Sequence, residues 1–541
     1  MIGCRAGWIM LKERFLRLAP LAAACLLSVA PVCAEELPLA RGDMAVSGFS
    51  GTTLPEEGLL PGVDPLDKTF IDPAGAALRV FDAAALGAPP SGQTVNPPVK
   101  LEATARSIGQ VFGLAFIPGE EGQAGPPDLF AAATSMYGVQ IVGVDLTDGG
   151  RPLRLKRGTL GARFMEGQWG EAPGGGPGSI WRIDGATGDA FLFANVEYAG
   201  SANSGPGLGG LSFDPDSRNL YVSDLDTGLI HRFDMAGADL GHFDHGVTGR
   251  PQHGLSVMED DGRRMDISNA DFDVENPGTW GFTQPERRVL GLAVHQGRLY
   301  YSLATEVWSV ALARNGGFAG DARLELSLHD RAAVTGIAFD STGRIYLAQR
   351  GALRGSYDYS VLAEPGGGRL LRYTPEKPDD AGTATRWLPE AEEYAVGFPG
   401  DHQNGAGGIS LQYGYGDDGT LDYGMCEGTL VTTGDGLRDD PALVGELGGP
   451  ADVAGAQLMK QTLVRPANVP PLSAYFVDYD NEYLTPGQRG HVGDAEVYRI
   501  CDGEVPGAPG TVPPPDRAPD GTSPPGDQPP AFPDEPPPPP L

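Results

Sequence analysis

Asp224 and Asp226 stand two residues apart after a β-rich stretch, and Asp478 and Asp480 repeat that spacing beside Asn481 and Glu482. Paired carboxylates in a loop can share a hard divalent cation through their oxygens. Neither pair belongs to a full D-x-[DN]-x-[DN]-G loop with a distal Glu, and Asp also serves ordinary turns. His242, Asp244 and His245 offer two imidazoles and a carboxylate, a set suited to zinc. Flanked by Gly241 and Gly246, they read instead as a surface loop. Two glycine-rich stretches, Asn203 to Gly210 and His402 to Gly408, let backbone approach a ligand closely while Asn offers a carbonyl oxygen. Glu286-Arg287-Arg288 holds the equivalent place before Gly291. The candidate binding residues are therefore Asn203, Glu286, Arg287, His402 and Asn404, with simple turn formation as the competing reading. Neither a G-x-S-x-G elbow nor a G-x-x-x-x-G-K-[ST] loop occurs, so local signs of an α/β-hydrolase or a P-loop nucleotidase are missing.

These residues sit on a weak internal repeat. Gly210-Leu211-Ser212-Phe213-Asp214 is followed by Asn219-Leu220-Tyr221-Val222-Ser223. Gly291-Leu292-Ala293-Val294-His295 is followed by Arg298-Leu299-Tyr300-Tyr301-Ser302, and Gly336-Ile337-Ala338-Phe339-Asp340 by Arg344-Ile345-Tyr346-Leu347-Ala348. Looser copies begin at Gly113 and Gly408, and third strands follow at Leu229–Phe233, Val307–Val310 and Arg369–Tyr373. Ser179–Asp184 adds an outer strand to the early copies. Val, Ile, Tyr and Phe fit half-buried pleated surfaces. Each unit is too small to bury its own faces, and radial repetition lets neighbours cover them. The expected fold is all-β, a β-propeller of about six blades, with five to seven compatible with the uneven spacing. Pairing of N- and C-terminal strands would close it, the strand around Leu78–Phe81 sharing a blade with the strand around Val497–Ile500.

The two ends of the chain have different compositions. Arg5, Lys12, Arg14 and Arg17 precede an apolar stretch and the small-residue pattern Val32-Cys33-Ala34, which reads as an export signal over residues 1–34. Residues 35–64 form an N-terminal extension, and 65–504 the propeller. From 505 to 541 the chain is rich in proline, with too little apolar surface to order itself. Removal of the signal leaves Cys426 and Cys501, which either form one disulfide in an oxidising compartment or stay as thiols. No later run is long and apolar enough for a transmembrane helix. The formal charge of −32 repels phosphate backbones and argues against a nucleic-acid partner. Delivery to a periplasm or to the extracellular space fits both readings.

The G-[LI]-[AS]-[FV]-[DH] starts, the [LI]-Y-[VYL]-[SA] second strands and Trp181-Arg182-Ile183-Asp184-Gly185-Ala186-Thr187-Gly188 resemble six-bladed propellers of the NHL-repeat and gluconolactonase/regucalcin-like type. The resemblance covers about residues 65 to 500. It implies a channel-mouth divalent cation, Ca²⁺, held by carboxylates and asparagines, although no ligand aligns residue by residue. Two functions follow as expectations. One is a binding or scaffold module for a protein, glycan or small ligand. The other is a cation-dependent hydrolase of lactonase or esterase type. A quinoprotein-like oxidoreductase rests on the D-x-x-T-G turn alone.

Overall fold

A computed structural model describes residues 38–54, 62–87, 93–119, 125–146, 149–377, 385–438, 452–480 and 488–501. The segment read as an export signal, the proline-rich tail, Asn481 and Glu482 lie outside the described residues.

The described chain folds mainly into strands, grouped in six antiparallel sheets of four strands, the sixth carrying an added short one. In chain order the innermost strands are Val111–Ile117, Leu208–Asp214, Val289–His295, Ala333–Phe339 and Gly405–Gln412. Three inner strands coincide with the clearest repeats, and Ile345–Arg350 and Leu370–Tyr373 continue the fifth sheet as those repeats lead one to expect. The remaining sheet, here the closing sheet, runs Val492–Val497, Met44–Gly48, Ala76–Phe81, Val99–Thr104. Both ends of the described chain therefore share one sheet. Met44 pairs with Val497 on one side and with Phe81 on the other. Leu78–Phe81 and Val497 do belong to the same sheet, but Met44–Gly48 lies between them. That strand precedes the boundary expected at residue 65. Its run Met-Ala-Val-Ser-Gly is fully buried because both its edges are hydrogen-bonded.

The repeat glycines have a physical cause. A Cβ on Gly113 would stand 2.7 Å or less from a backbone atom of the next inner strand, and the same holds for Gly210, Gly336 and Gly408. At Gly291 the nearest such atom, the Thr335 carbonyl oxygen, is 2.8 Å away. Inner strands converge too closely for a side chain. Side-chain bonds tie neighbouring sheets together at these strands. Val294 N donates to Ser212 Oγ at 3.0 Å, Ser302 Oγ to Val334 O at 2.7 Å, and Thr335 Oγ1 to Gly407 O at 3.1 Å. Thr433 Oγ1 donates to Gly493 O at 2.6 Å, and Ser47 Oγ to Phe112 O at 2.8 Å.

The apolar core is divided into wedges between consecutive sheets. Phe130 and Ile180 meet Leu211 and Val222; Phe243 and Ile230 meet Leu292 and Tyr301. Tyr300 and Val307 meet Ile345 and Leu371, and Tyr346 meets Ile409 and Phe476. Val431 and Leu458 pack on Val46 and Val497 of the closing sheet, whose Leu78 and Val80 pack with Leu114 and Trp181 of the second. Four-stranded sheets stacked face to face through such wedges define a β-propeller architecture. Cys426 and Cys501 form a disulfide with Cα atoms 5.5 Å apart, so of the two readings left open the bond is the one observed. Among the described residues no helix is long and apolar enough to cross a membrane.

Candidate functional site at the end of the channel

The inner strands begin at one end of the channel and finish at the other, and the two ends differ. Where they begin, the chain fills the space itself. Arg350 is buried there and donates to the carbonyls of Ala406, Val492 and Gly490 at 2.9, 2.5 and 2.7 Å. Its guanidinium lies 5.4 and 5.7 Å from the ring centres of Phe112 and Tyr137. Phe49 stacks on Tyr359 at 5.5 Å and meets His491 edge-on at 5.3 Å. Arg154 lies over Tyr357 and Tyr359 at 4.0 and 4.2 Å. These residues come largely from the segments between sheets, which pack as one apolar cluster with the inner strands.

At the opposite end the strands open into a basin of about 1260 Å³. Its wall takes residues from all six inner strands, including Phe116, Phe213, His295, Phe339, Ser410 and Glu496. Glu496 and Asp494 stand two residues apart on the innermost strand of the closing sheet, where its register against Met44–Gly48 shifts. Glu496 lines the basin, and Asp494 turns to the inner strand of the second sheet. Its Oδ2 accepts from Leu114 N at 3.1 Å and its Oδ1 from Ala495 N at 2.9 Å. Desolvation raises Asp494 to about 7 and, aided by the Asp494 charge, raises Glu496 to about 8. Ser410 hydrogen-bonds Glu496 and offsets part of that rise. His295 stacks flat on Phe339 with ring centres 4.2 Å apart, and burial lowers it to about 4, so its imidazole is neutral near pH 7.

The residues singled out in the sequence lie elsewhere. Asn203 and Asp224 do come together: Asn203 Nδ2 donates to Asp224 Oδ1 at 2.7 Å while Asn203 Oδ1 accepts from Gly205 N and Gly207 N. Asp224 also accepts from Thr227 Oγ1, and Asp226 accepts from Ser204 N and Oγ at 2.7 and 2.8 Å. This network fastens the Asn203 loop, and burial raises Asp226 to about 6. Glu286 is exposed, whereas Arg287 is buried and donates to Met258 O and Asp244. His402 Nδ1 meets Gly397 O at 2.8 Å, and Asn404 Nδ2 donates to Val396 O and Pro399 O. Asp478 accepts from Ala454 N at 3.1 Å, and Asp480 is exposed. Among the described residues no group of three or more His, Cys, Asp or Glu is placed to hold a metal ion.

The reading of His242, Asp244 and His245 as a surface loop is corrected. Asp239–Asp244 is an outer strand, and His245 is buried with Nδ1 2.9 Å from the Tyr301 hydroxyl and its ring 4.6 Å from Trp308. Asp244 turns to Arg287 and His242 to Tyr198. The apolar partners on the neighbouring sheet, distant in sequence, are what bury His245.

Asp494, Glu496 and His295 were not singled out from the sequence as site residues. The available signal was Asp-Ala-Glu inside Val492–Val497, because acids are depleted in strands and alternate positions share a face.

No protein-family model matches the chain, and no curated protein matches it. Among solved structures, the crystal structure of a nidogen/laminin complex aligns with a TM-score of 0.33 and 10% identity, over 85% of this chain and 100% of that one. A protein from Lactobacillus plantarum gives 0.33 and 10%, over 84% and 99%. The calcium-binding protein regucalcin from Agrobacterium tumefaciens gives 0.29 and 12%, over 68% and 95%. Likeness at these scores assigns no function to this chain.

Proposed function

We propose that this chain is an exported binding module whose six sheets close into a ring and whose ligand, a small molecule, enters the channel-end basin. The supporting observation is the contrast between the two ends. One is filled by Arg350, Tyr137, Phe49 and Tyr359; the other is an open concavity with aromatic walls and the half-buried carboxyl of Glu496. Ligand sites are concave, mostly apolar and furnished with a few convergent polar groups. The basin is concave and mixes aromatic walls with polar groups, among them Glu496, Ser410 and His295. Pairing with Met44–Gly48 and the disulfide to Cys501 hold the strand that carries Glu496.

Ligand-observed NMR with a set of small fragments tests this reading. Ser410→Phe places a ring in the basin beside Glu496. Fragments that bind the native protein are expected to lose binding in this variant, with circular dichroism reporting that both are folded. Binding that survives in the folded variant would contradict the assignment.

A further inference from the structure

Resting on the basin as the ligand site, we infer that its ligand is an organic cation: a primary ammonium on an aromatic or aliphatic body. Three features converge. The walls present Phe116, Phe213 and Phe339, and Tyr498 packs 5.6 Å from Phe116. Ring faces attract a cation and accept its apolar body. Glu496 borders the basin, with Asp494 behind it.

The third feature is the lack of a direct ion-pair partner for the carboxyls. Among the described residues no Lys, Arg or His forms an ion pair with Asp494 or Glu496. Arg499 lowers Glu496 only in part, against the larger effect of burial. Arg499 is committed to Glu427 at 3.2 Å and to Cys426 O at 2.9 Å. Arg218 leans on Phe213 and reaches Pro118 O. Asp214 accepts from Ser217 Oγ and Asp216 N, and Asp340 from Thr342, Arg344 and Tyr346. Arg41 and Asp216 are at the rim, and His295 is neutral near pH 7.

An ammonium beside Glu496 would supply that partner and favour the ionised carboxylate. The formal charge of −32 steers cations inward over distances set by ionic strength. An uncharged polyol would satisfy the hydroxyl and imidazole groups but leave the carboxyls without a counter-ion.

Titration calorimetry with benzylamine and its uncharged counterpart benzyl alcohol, at about pH 7.5 in buffers of different ionisation enthalpy, tests the inference. Benzylamine is expected to bind more tightly and to release protons from the protein. Glu496→Gln is expected to weaken benzylamine about tenfold, to abolish the proton release and to leave benzyl alcohol unchanged. Benzyl alcohol binding as tightly as benzylamine, or benzylamine indifferent to Glu496→Gln, would overturn the cation assignment while the basin reading stands. If no fragment or amine shows binding sensitive to Ser410→Phe, the basin reading falls and the inference with it.

Discussion

Glu496 and Asp494 are the residues at which position overrides chemical type. A carboxylic acid in water is ionised at neutral pH, but desolvation disfavours the charged form of these two more than Arg499 favours it at Glu496. Each holds its proton more tightly in the folded chain, near 7 for Asp494 and 8 for Glu496. The unfolded chain therefore releases these protons first as pH rises. Stability from this source is fully present below about pH 4 and is lost on the way to about pH 8, by up to about 1.4 kcal/mol per pH unit for each group. Asp494→Asn with Glu496→Gln is expected to melt higher than the native protein at about pH 8 and to flatten the dependence of melting temperature on pH between about 5 and 8. Scanning calorimetry across that range checks it, and an unchanged slope would mean that the carboxyls are better solvated than the geometry indicates.

The inner strands show how local sequence and global packing meet. Gly113, Gly210, Gly291, Gly336 and Gly408 were legible as a repeat before any coordinates, together with the second strands that follow them. Their reason was not, because it lies in the neighbouring strand. A Cβ at Gly336 would stand 2.5 Å from Gly407 O and 2.8 Å from Ile409 Cγ2. Gly297, by contrast, has positive φ and open space around it. Gly336→Ala is expected to cost more than about 2 kcal/mol by overpacking against backbone, and Gly297→Ala about 1 kcal/mol from backbone strain alone. Urea denaturation of the two variants reads the difference, and equal losses would refute close approach as the cause. The site was harder to read than the strands. Asn203, Asp224 and Asp226 stood out because Asn, Asp and Gly mark turns, and they fasten a turn. Glu496 and Asp494 were hidden in a strand recognised only as the last of the array. The face a strand presents to a channel becomes visible only when its neighbours are in place. His245 illustrates the same limit, since Tyr301 and Trp308 that bury it come more than fifty residues later.

For the molecule as a whole, both ends of the described chain meet in the sheet of Val492–Val497 and Met44–Gly48. That pairing sets Glu496 opposite Ala45 and fixes its position relative to Phe116, His295 and Phe339 on other sheets. The strand that pairs with Met44–Gly48 thus also carries Glu496 to the basin. A propeller fold alone would not determine which end receives a ligand; in the proposed reading the filling of one end by Arg350 and its aromatic neighbours does. The most direct measurement is a crystal structure of the native protein grown with a mixture of small amines and alcohols. The account predicts an amine in the basin, its nitrogen within hydrogen-bond reach of Glu496. A ligand seated instead at the opposite end, among Asn203, Glu286 and His402, would contradict it.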